Sequence, residues 1–253
     1  MTKQLIKSLT LLVAGSMLLG ASVTASAAGG VKPKYQASVD VSNTDSLRRG
    51  SKYFVNYCLG CHSLKYVRYN SLLDDLNISE EQLSALMFTQ DKSTEMMTIA
   101  MPEGDAERWF GIAPPDLSLT ARSKGADWIY SYLKTFYVEE GRPAGVNNLT
   151  LKGASMPHVL APLQGYQRAV FETVTDAEGN PHEEFKGFEM VTEGSLSAEE
   201  YDAVVNDITT FLVYVSEPVQ LKRQSVGIGV LAFLLVFFLF AYFLKREIWK
   251  DVH

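Results

Sequence analysis

The sequence has few residues that bind metals or form covalent cross-links. Its 253 residues include two cysteines, Cys58 and Cys61, and four histidines. A zinc site made from two cysteine pairs is therefore excluded, because there is no second pair. Internal repeats and low-complexity tracts are also absent, which excludes a repeat architecture. Cysteine chemistry in this chain must centre on a single pair.

Basic residues are scarce in the main part of the chain. Residues 29–221 include 27 acidic and 16 basic side chains, a formal net charge of −11. Segment 172–207 holds 11 of these acids and one base, Lys186. The negative field argues against a nucleic-acid partner and favours a basic protein that it would steer in. The alternative is a solvated face that only improves solubility.

Acidic residues are absent from the first 28 positions. Two lysines in the first seven positions are followed by a short apolar stretch at 9–19 and then by small residues. This order is typical of a secretory signal peptide, which we predict over residues 1–28, with cleavage after Ala27 or Ala28. An uncleaved N-terminal anchor is the alternative interpretation.

Charged residues are absent from Gln224 to Leu244, a run of 21 residues. At 1.5 Å per residue, a helix of this length spans about 30 Å, which is enough to cross the hydrocarbon core of a membrane. We predict a single transmembrane anchor at 222–244. The signal peptide then places the domain at 29–221 outside the membrane, in the periplasm, and the tail at 245–253 in the cytoplasm.

The cysteine pair lies in the sequence N-Y-C-L-G-C-H-S. C-x-x-C-H is the attachment signature of a covalent c-type haem, with two sulfurs for the vinyl groups and an imidazole for the iron. Cys58 is three residues before Cys61 and four before His62, so all three project from one side of a helical turn. A helix capped by Asp45 or Ser46 is predicted to lead into this turn. A thiol oxidoreductase site and half of a zinc site are the alternatives.

The sixth iron ligand decides between ligand binding and electron transfer, because a methionine thioether closes the site and suits electron transfer. Two methionines precede a proline, Met101 and Met156, and an M-P step near a glycine suits a braced ligand loop. Met156 is favoured because it lies far downstream, where the chain can return over the other face of the haem. His158 is a rival that would give a bis-histidine haem. Met87 is interpreted as core packing.

Hydrophobic spacing indicates a mainly α-helical domain with loop insertions. Helices are predicted at 79–87, at 127–137 and after Ser197, where S-A-E-E forms a capping box. Pro218 is predicted to end the last of these just before the membrane. Residues 178–187 combine glycine, proline and charge, which indicates a loop or a short hairpin.

Beyond C-x-x-C-H, five segments occur in a characteristic order. They are R-R-G-S-K-Y-F-V-N-Y-C-L-G-C-H-S-L-K-Y-V-R-Y (48–69), A-P-P-D-L-S (113–118), A-R-S-K-G-A-D-W-I-Y-S-Y-L (121–133), G-V-N-N-L-T-L-K-G-A-S-M-P-H-V-L (145–160) and F-L-V-Y-V-S-E-P (211–218). With the apolar C-terminal segment, this set closely resembles the cytochrome c1 family, the haem subunits of the cytochrome bc1 complex. The resemblance covers nearly all of the mature chain, and its pattern around M-P-H-V-L is similar to bacterial members.

The resemblance implies a c-type cytochrome domain with one covalent haem c. It implies attachment through Cys58 and Cys61, with His62 and Met156 as axial ligands of the iron. No other metal is implied, and the site is not catalytic in itself.

Three further residues acquire roles through the resemblance. Arg122 would approach a haem propionate, as a guanidinium can pair with a carboxylate through two hydrogen bonds. Pro115 would lie in a loop packed on the haem. Trp128 stands where the family often has a propionate-contacting tyrosine, and its indole N–H could donate in its place.

The implied function is electron transfer and not enzymatic catalysis by the chain alone. One electron would pass from the Rieske iron–sulfur protein to the haem and on to a soluble cytochrome c, beside cytochrome b in the bacterial inner membrane. The whole complex, ubiquinol–cytochrome c reductase, would contribute to the respiratory proton-motive force. The alternatives are an anchored cytochrome that serves another chain, such as a terminal oxidase, and a haem peroxidase, although di-haem peroxidases need two C-x-x-C-H motifs.

Overall fold

The computed structural model describes residues 33–87, 90–176 and 179–251. The predicted signal peptide at 1–28 lies outside these ranges. The helices are α1 (Thr44–Tyr57), α2 (Ser71–Leu76), α3 (Glu80–Leu86), α4 (Glu103–Phe110), α5 (Thr120–Lys124), α6 (Ala126–Lys134), α7 (Ala161–Gln164), α8 (Ala198–Ser216) and α9 (Gln220–Ile248), followed by a 3₁₀ turn at Trp249–Asp251.

Short antiparallel ladders connect the helices. The strands are β1 (Leu64–Arg68), β2 (Met96–Met97), β3 (Phe136–Val138), β4 (Val146–Asn148), β5 (Gly165–Thr175) and β6 (Pro181–Glu193). They pair in chain order as three two-stranded sheets. The domain is mainly α with inserted hairpins, which confirms the predicted fold class.

The core is centred on α1 packed against α8. One face of α1 is buried through Leu47, Phe54 and Val55, and it meets a buried stripe on α8. The rings of Phe54 and Phe211 lie 5.7 Å apart between their centroids. Burial of such side chains contributes about 1.5–3 kcal/mol each. This contact therefore fixes the direction in which α1 runs toward the cysteine pair.

Gly50 allows α1 and α8 to approach at backbone distance. A Cβ atom at this position would lie 2.1 Å from the carbonyl oxygen of Asp207 and 2.8 Å from the Cβ atom of Phe211. Only a residue without a side chain fits there.

A buried carboxylate also joins these two helices. Asp207 accepts hydrogen bonds from the Ser46 hydroxyl at 2.6 Å and from Nε of Arg49 at 2.6 Å. The Arg49 guanidinium makes a second bond to the same carboxylate at 3.0 Å, so the pair is bidentate. Asp207, one of the 11 acids in the negative segment, therefore serves the core and not the surface.

The helix caps are only partly as predicted. The capping box of α8 is confirmed, because the Ser197 hydroxyl accepts from the Glu200 N–H at 3.3 Å and Glu200 accepts from the Ser197 N–H at 2.9 Å. For α1 the prediction is wrong: Asn43 is the cap, and its amide oxygen accepts from the Ser46 N–H at 3.1 Å. Asp45 lies inside the first turn, where its charge still favours the helix dipole.

Two predicted boundaries differ from the structure. Helix α3 matches its prediction, but α6 ends at Lys134 and not at 137. The next residues form β3 because Phe136–Val138 pairs with Val146–Asn148, a long-range contact that overrides helical spacing. Of the predicted loop or short hairpin at 178–187, residue 178 lies outside the described residues, and 181–187 form the first part of β6 in the long β5–β6 hairpin. Three phenylalanine rings stabilise that hairpin. The ring centroids of Phe171 and Phe185 lie 5.8 Å apart, and those of Phe185 and Phe188 lie 4.9 Å apart.

One helix in the described part of the chain is long and apolar enough to cross a membrane. It is α9, none of whose residues is buried against the rest of the chain. The predicted anchor at 222–244 lies inside it, and the helix extends beyond the anchor at both ends. Pro218 lies between α8 and α9, as predicted, so the membrane helix follows the core helix after three intervening residues.

We expect Gly50→Ala to lower the free energy of unfolding by about 1–3 kcal/mol, because the added methyl group must push α1 away from α8. Chemical denaturation of the detergent-solubilised chain measures this. Gly104→Ala is the control: Gly104 is also helical and has open space around its Cβ position. That change should be neutral or stabilising by up to about 1 kcal/mol. Equal stability of the two variants would contradict the close contact.

Candidate haem-binding site

The C-x-x-C-H segment forms a single turn at the end of α1. The Cys58 N–H donates to the Phe54 carbonyl at 2.8 Å, which continues the helix by one residue. The carbonyl of Cys58 then accepts from the N–H groups of Cys61 at 3.0 Å and of His62 at 2.8 Å. These backbone hydrogen bonds agree with the prediction that the three side chains project from one helical turn.

Cys58 and Cys61 are not joined to each other by a disulfide. Cys58 is buried and Cys61 is half-buried. Burial raises the pKa of the Cys58 thiol to about 12, and the neighbouring Cys61 adds to this rise. A thiol oxidoreductase needs a thiol whose pKa is lowered toward neutrality. The environment of Cys58 therefore argues against a role of this thiol in thiol–disulfide exchange.

The zinc alternative also loses support. Among the residues placed by the structure, no three His, Cys, Asp or Glu side chains are grouped so that they could hold a metal ion. A tetrahedral structural zinc site needs four such ligands.

His62 is held by a hydrogen bond from Nδ1 to the carbonyl oxygen of Pro115, at 2.8 Å. Because a carbonyl can only accept, Nδ1 carries the proton, and Nε2 of the neutral ring keeps its lone pair. Burial lowers the pKa of His62, against the opposing effects of this bond and of Asp116. A ring fixed through one nitrogen and free at the other is the arrangement seen for metal-bound histidines.

The loop that carries Pro115 is tied to the segment after His62. Asp116 accepts from the Lys65 N–H at 2.8 Å and from the Ser118 N–H at 3.0 Å. The Leu117 N–H donates to the Ser63 carbonyl at 3.0 Å. Sequence reasoning placed Pro115 in a loop at the haem but missed that its carbonyl orients His62. It also missed Asp116, for which the turn-forming P-D step was the available signal.

Met156 lies in the loop between β4 and α7 and is half-buried. Two asparagines before it, not singled out from the sequence, hold the start of this loop. The side-chain oxygen of Asn148 accepts from the N–H groups of Thr150 at 2.8 Å and Leu151 at 3.1 Å. The side-chain oxygen of Asn147 accepts from the Gly153 N–H at 2.8 Å.

His158, the rival ligand, is buried and packs flat on Phe136, with ring centroids 5.1 Å apart and an angle of 8° between the rings. Burial lowers the pKa of His158 to about 4, although the Gln164 side chain and the Gly165 backbone oppose the shift. The ring is therefore neutral at pH 7. Its Nε2 has no hydrogen-bond partner among residues 33–87, 90–176 and 179–251.

Arg122 and Trp128 lie on the consecutive helices α5 and α6. Arg122 is exposed, and the described structure contains no ion pair that engages its guanidinium. Trp128 is half-buried and stacks on Tyr132, with centroids 5.1 Å apart and rings within 5° of parallel. Nζ of Lys124 lies 5.5 Å from the centroid of the Trp128 ring. Arg122 and Trp128 are thus both positioned on helices, and Arg122 has no ion-pair partner among the described residues.

The donor set suits a c-type haem. It combines two unpaired sulfurs on one turn, an oriented imidazole nitrogen beside them and a thioether in a separate braced loop. A thioether bond also suits the buried Cys58, since a thioether sulfur has no proton to lose.

Comparison with known proteins agrees with this chemistry. A sequence model described as the cytochrome C1 family matches residues 34–100 and 90–252. Cytochrome c1 of Allochromatium vinosum is 48% identical over 96% of this chain and 99% of its own length. The ammonia monooxygenase gamma subunit of Nitrosomonas europaea is 42% identical over 86% of this chain and 88% of its own. Cytochrome c1 of Rhodospirillum rubrum is 28% identical over 81% of each.

Family match, donor chemistry and the C-terminal apolar helix lead to one conclusion. The chain belongs to the cytochrome c1 family, whose members carry a covalently bound haem c and are membrane-anchored electron-transfer subunits of the bc1 complex.

Proposed function

We propose that Cys58 and Cys61 form the two thioether links to haem c and that His62 and Met156 are its axial ligands. When bound, the haem supplies a one-electron couple at its iron. The observation that carries this proposal is the hydrogen bond from His62 to the Pro115 carbonyl. It leaves a neutral nitrogen lone pair on the same turn as two unpaired sulfurs.

The residues around the site hold both ligands in place. His62 is fixed by the Pro115 carbonyl, and the loop before Met156 is fixed by the two buried asparagines. Ligands that move little between oxidation states add little reorganisation to an electron transfer. The polypeptide makes and breaks no substrate bond in this role; quinol oxidation belongs to the assembled complex.

Arg122 and Trp128 are proposed to contact the haem propionates. An exposed guanidinium without an ion pair in the described structure is free to form a bidentate pair with a carboxylate. The stack on Tyr132 fixes the plane of the Trp128 indole, whose N–H can donate in that plane.

The proposed electron donor is the Rieske iron–sulfur protein and the proposed acceptor is a soluble cytochrome c, with cytochrome b as the membrane partner. The negative segment supports a basic acceptor, but its acids are not equivalent. Asp207 pairs with Arg49 in the core, and Asp202 pairs with Lys134. The Glu200 carboxylate accepts a hydrogen bond from the Ser197 N–H at the start of α8.

Two more acids of the segment are partly neutralised by its single base. Lys186 pairs with Glu184 at 2.7 Å and with Glu172 at 3.7 Å. The carboxylates of four exposed glutamates have no ion pair or hydrogen bond within the described structure; they are Glu183, Glu189, Glu193 and Glu199. These four are the best candidates to meet a basic partner, since exposed and unpaired charges contribute most to steering.

The proposed topology places the haem domain in the periplasm of a bacterial inner membrane and the C-terminus in the cytoplasm. The signal peptide predicted at 1–28 supports this orientation. Helix α9 provides the single span, with Lys245 and Arg246 in its last turn.

We expect Met156→His to abolish the far-red sulfur-to-iron absorption band of the oxidised protein and to lower its midpoint potential, because a thioether ligand raises the potential. Absorption spectroscopy and redox titration measure both. Met101→Leu is the control, since Met101 is the other methionine that precedes a proline, and it should leave the band intact. A band that survives in Met156→His but not in Met101→Leu would reverse the assignment.

The assembly is tested by purification. A haem-stained denaturing gel of membranes should show covalent haem on this polypeptide, and mild purification through a C-terminal tag should retain cytochrome b and the Rieske protein. Retention of another redox complex in their place would contradict the proposed partners. Free thiols at both cysteines would contradict the haem site itself.

We expect simultaneous replacement of Glu183, Glu193 and Glu199 by glutamine to slow association with a basic soluble cytochrome c by about tenfold at low ionic strength, within the range known for electrostatic steering. Stopped-flow oxidation measures the rate. The matched control removes three exposed acids from α3 and α4: Glu80, Glu81 and Glu107. Equal slowing in both variants would show that net charge, and not this segment, steers the partner.

A further inference from the structure

The loop around Met156 is anchored at both ends and free in the middle. Ala154 and His158 are buried, whereas Ser155 and Pro157 are exposed. In the described structure, the only backbone hydrogen bond made by residues 155–157 is from the Val159 N–H to the Pro157 carbonyl, at 2.9 Å. The direction of the Met156 side chain therefore depends on its two flanks.

The N-terminal flank is held by hydrogen bonds. Besides its bonds to the loop backbone, Asn148 donates from Nδ2 to the Tyr132 carbonyl at 2.7 Å and accepts from the Thr135 hydroxyl at 3.1 Å. Asn147 donates to Glu139 at 2.8 Å. These bonds connect the beginning of the loop to the end of α6 and to β3.

The C-terminal flank is held by ring packing. The imidazole of His158 lies flat on Phe136 and meets the Tyr166 ring edge-on, with centroids 6.2 Å apart and rings at 83°. Phe136 is fully buried and itself contacts Tyr132. Both flanks of the loop therefore rest on the same region, the junction of α6 and β3.

We propose that His158 is a positioning residue for the Met156 thioether, through the stack of its ring on Phe136. The inference rests on the proposed axial role of Met156. Only Pro157 separates the two residues, and its ring restricts the backbone between them. A fixed His158 ring therefore limits where the sulfur can lie, and displacements of about 1 Å are enough to weaken a site that depends on geometry.

The proposal requires the flat ring and not its nitrogen. Nε2 of His158 has no partner in the described structure, and a buried polar atom without a partner costs stability. Phenylalanine keeps a flat ring against Phe136 and Tyr166 and lacks that atom. His158→Phe should therefore preserve the position of Met156 and be at least as stable as the parent chain.

The test compares His158→Ala with His158→Phe in the haem-loaded full chain. We expect His158→Ala to lose most of the far-red band, to bind carbon monoxide in the reduced state at least tenfold faster, and to exchange the amide hydrogens of residues 153–159 at least tenfold faster. His158→Phe should match the parent within about twofold in all three. If His158→Ala weakens the bond between the Met156 sulfur and the iron tenfold more in the ferrous than in the ferric protein, its midpoint potential should fall by about 59 mV.

Phe171→Ala is the control for general loss of packing, since this ring also contacts other aromatic rings, edge-on, but lies in the β5–β6 hairpin. It should destabilise the chain without changing the band. Parent-like amide exchange in His158→Ala overturns the inference, and so does a His158→Phe variant that behaves like His158→Ala. Failure of the axial assignment is separate: it appears as an intact band in Met156→His, while amide exchange still reports on the loop.

Discussion

The backbone contact between α1 and α8 at Gly50 determines where the C-x-x-C-H turn lies. A side chain at this position would collide with the Asp207 carbonyl, so the approach of the two helices requires glycine here. Phe54, one turn later, packs on Phe211, and its carbonyl accepts the hydrogen bond from the Cys58 N–H. The same helix-to-helix contact that forms the core thus sets the position of the first sulfur.

Two features of the polypeptide around this turn limit the protonation states of its side chains. The Pro115 carbonyl leaves one tautomer open to His62, and burial keeps the Cys58 thiol protonated and unsuited to disulfide exchange. Neither effect supplies redox chemistry. Both effects are compatible with the proposed thioether attachment and iron ligation, and neither favours thiol–disulfide exchange.

The features that were predicted well from the sequence are those set by residues close together in the chain. The C-x-x-C-H turn, the capping box at Ser197 and the apolar run of α9 depend on neighbouring residues, so spacing alone identifies them. What it missed depends on distant partners. Strand β3 replaces the end of a predicted helix because it pairs with β4, and Asn148 acts through bonds to Tyr132 and Thr135, 16 and 13 residues earlier. Asparagine in a loop carries no such signal, since it is common in turns for other reasons.

The same distinction applies to charge. Counting acids gave segment 172–207 a net charge of −10, as if every carboxylate faced a partner. The structure divides them: Asp207 is buried and paired in the core, whereas Glu183 and Glu193 are exposed on the β5–β6 hairpin. A paired carboxylate contributes little field at a distance, since its counter-charge cancels it within a few ångströms. The β5–β6 hairpin, whose length the sequence underestimated, therefore carries three of the four exposed and unpaired glutamates of this segment: Glu183, Glu189 and Glu193.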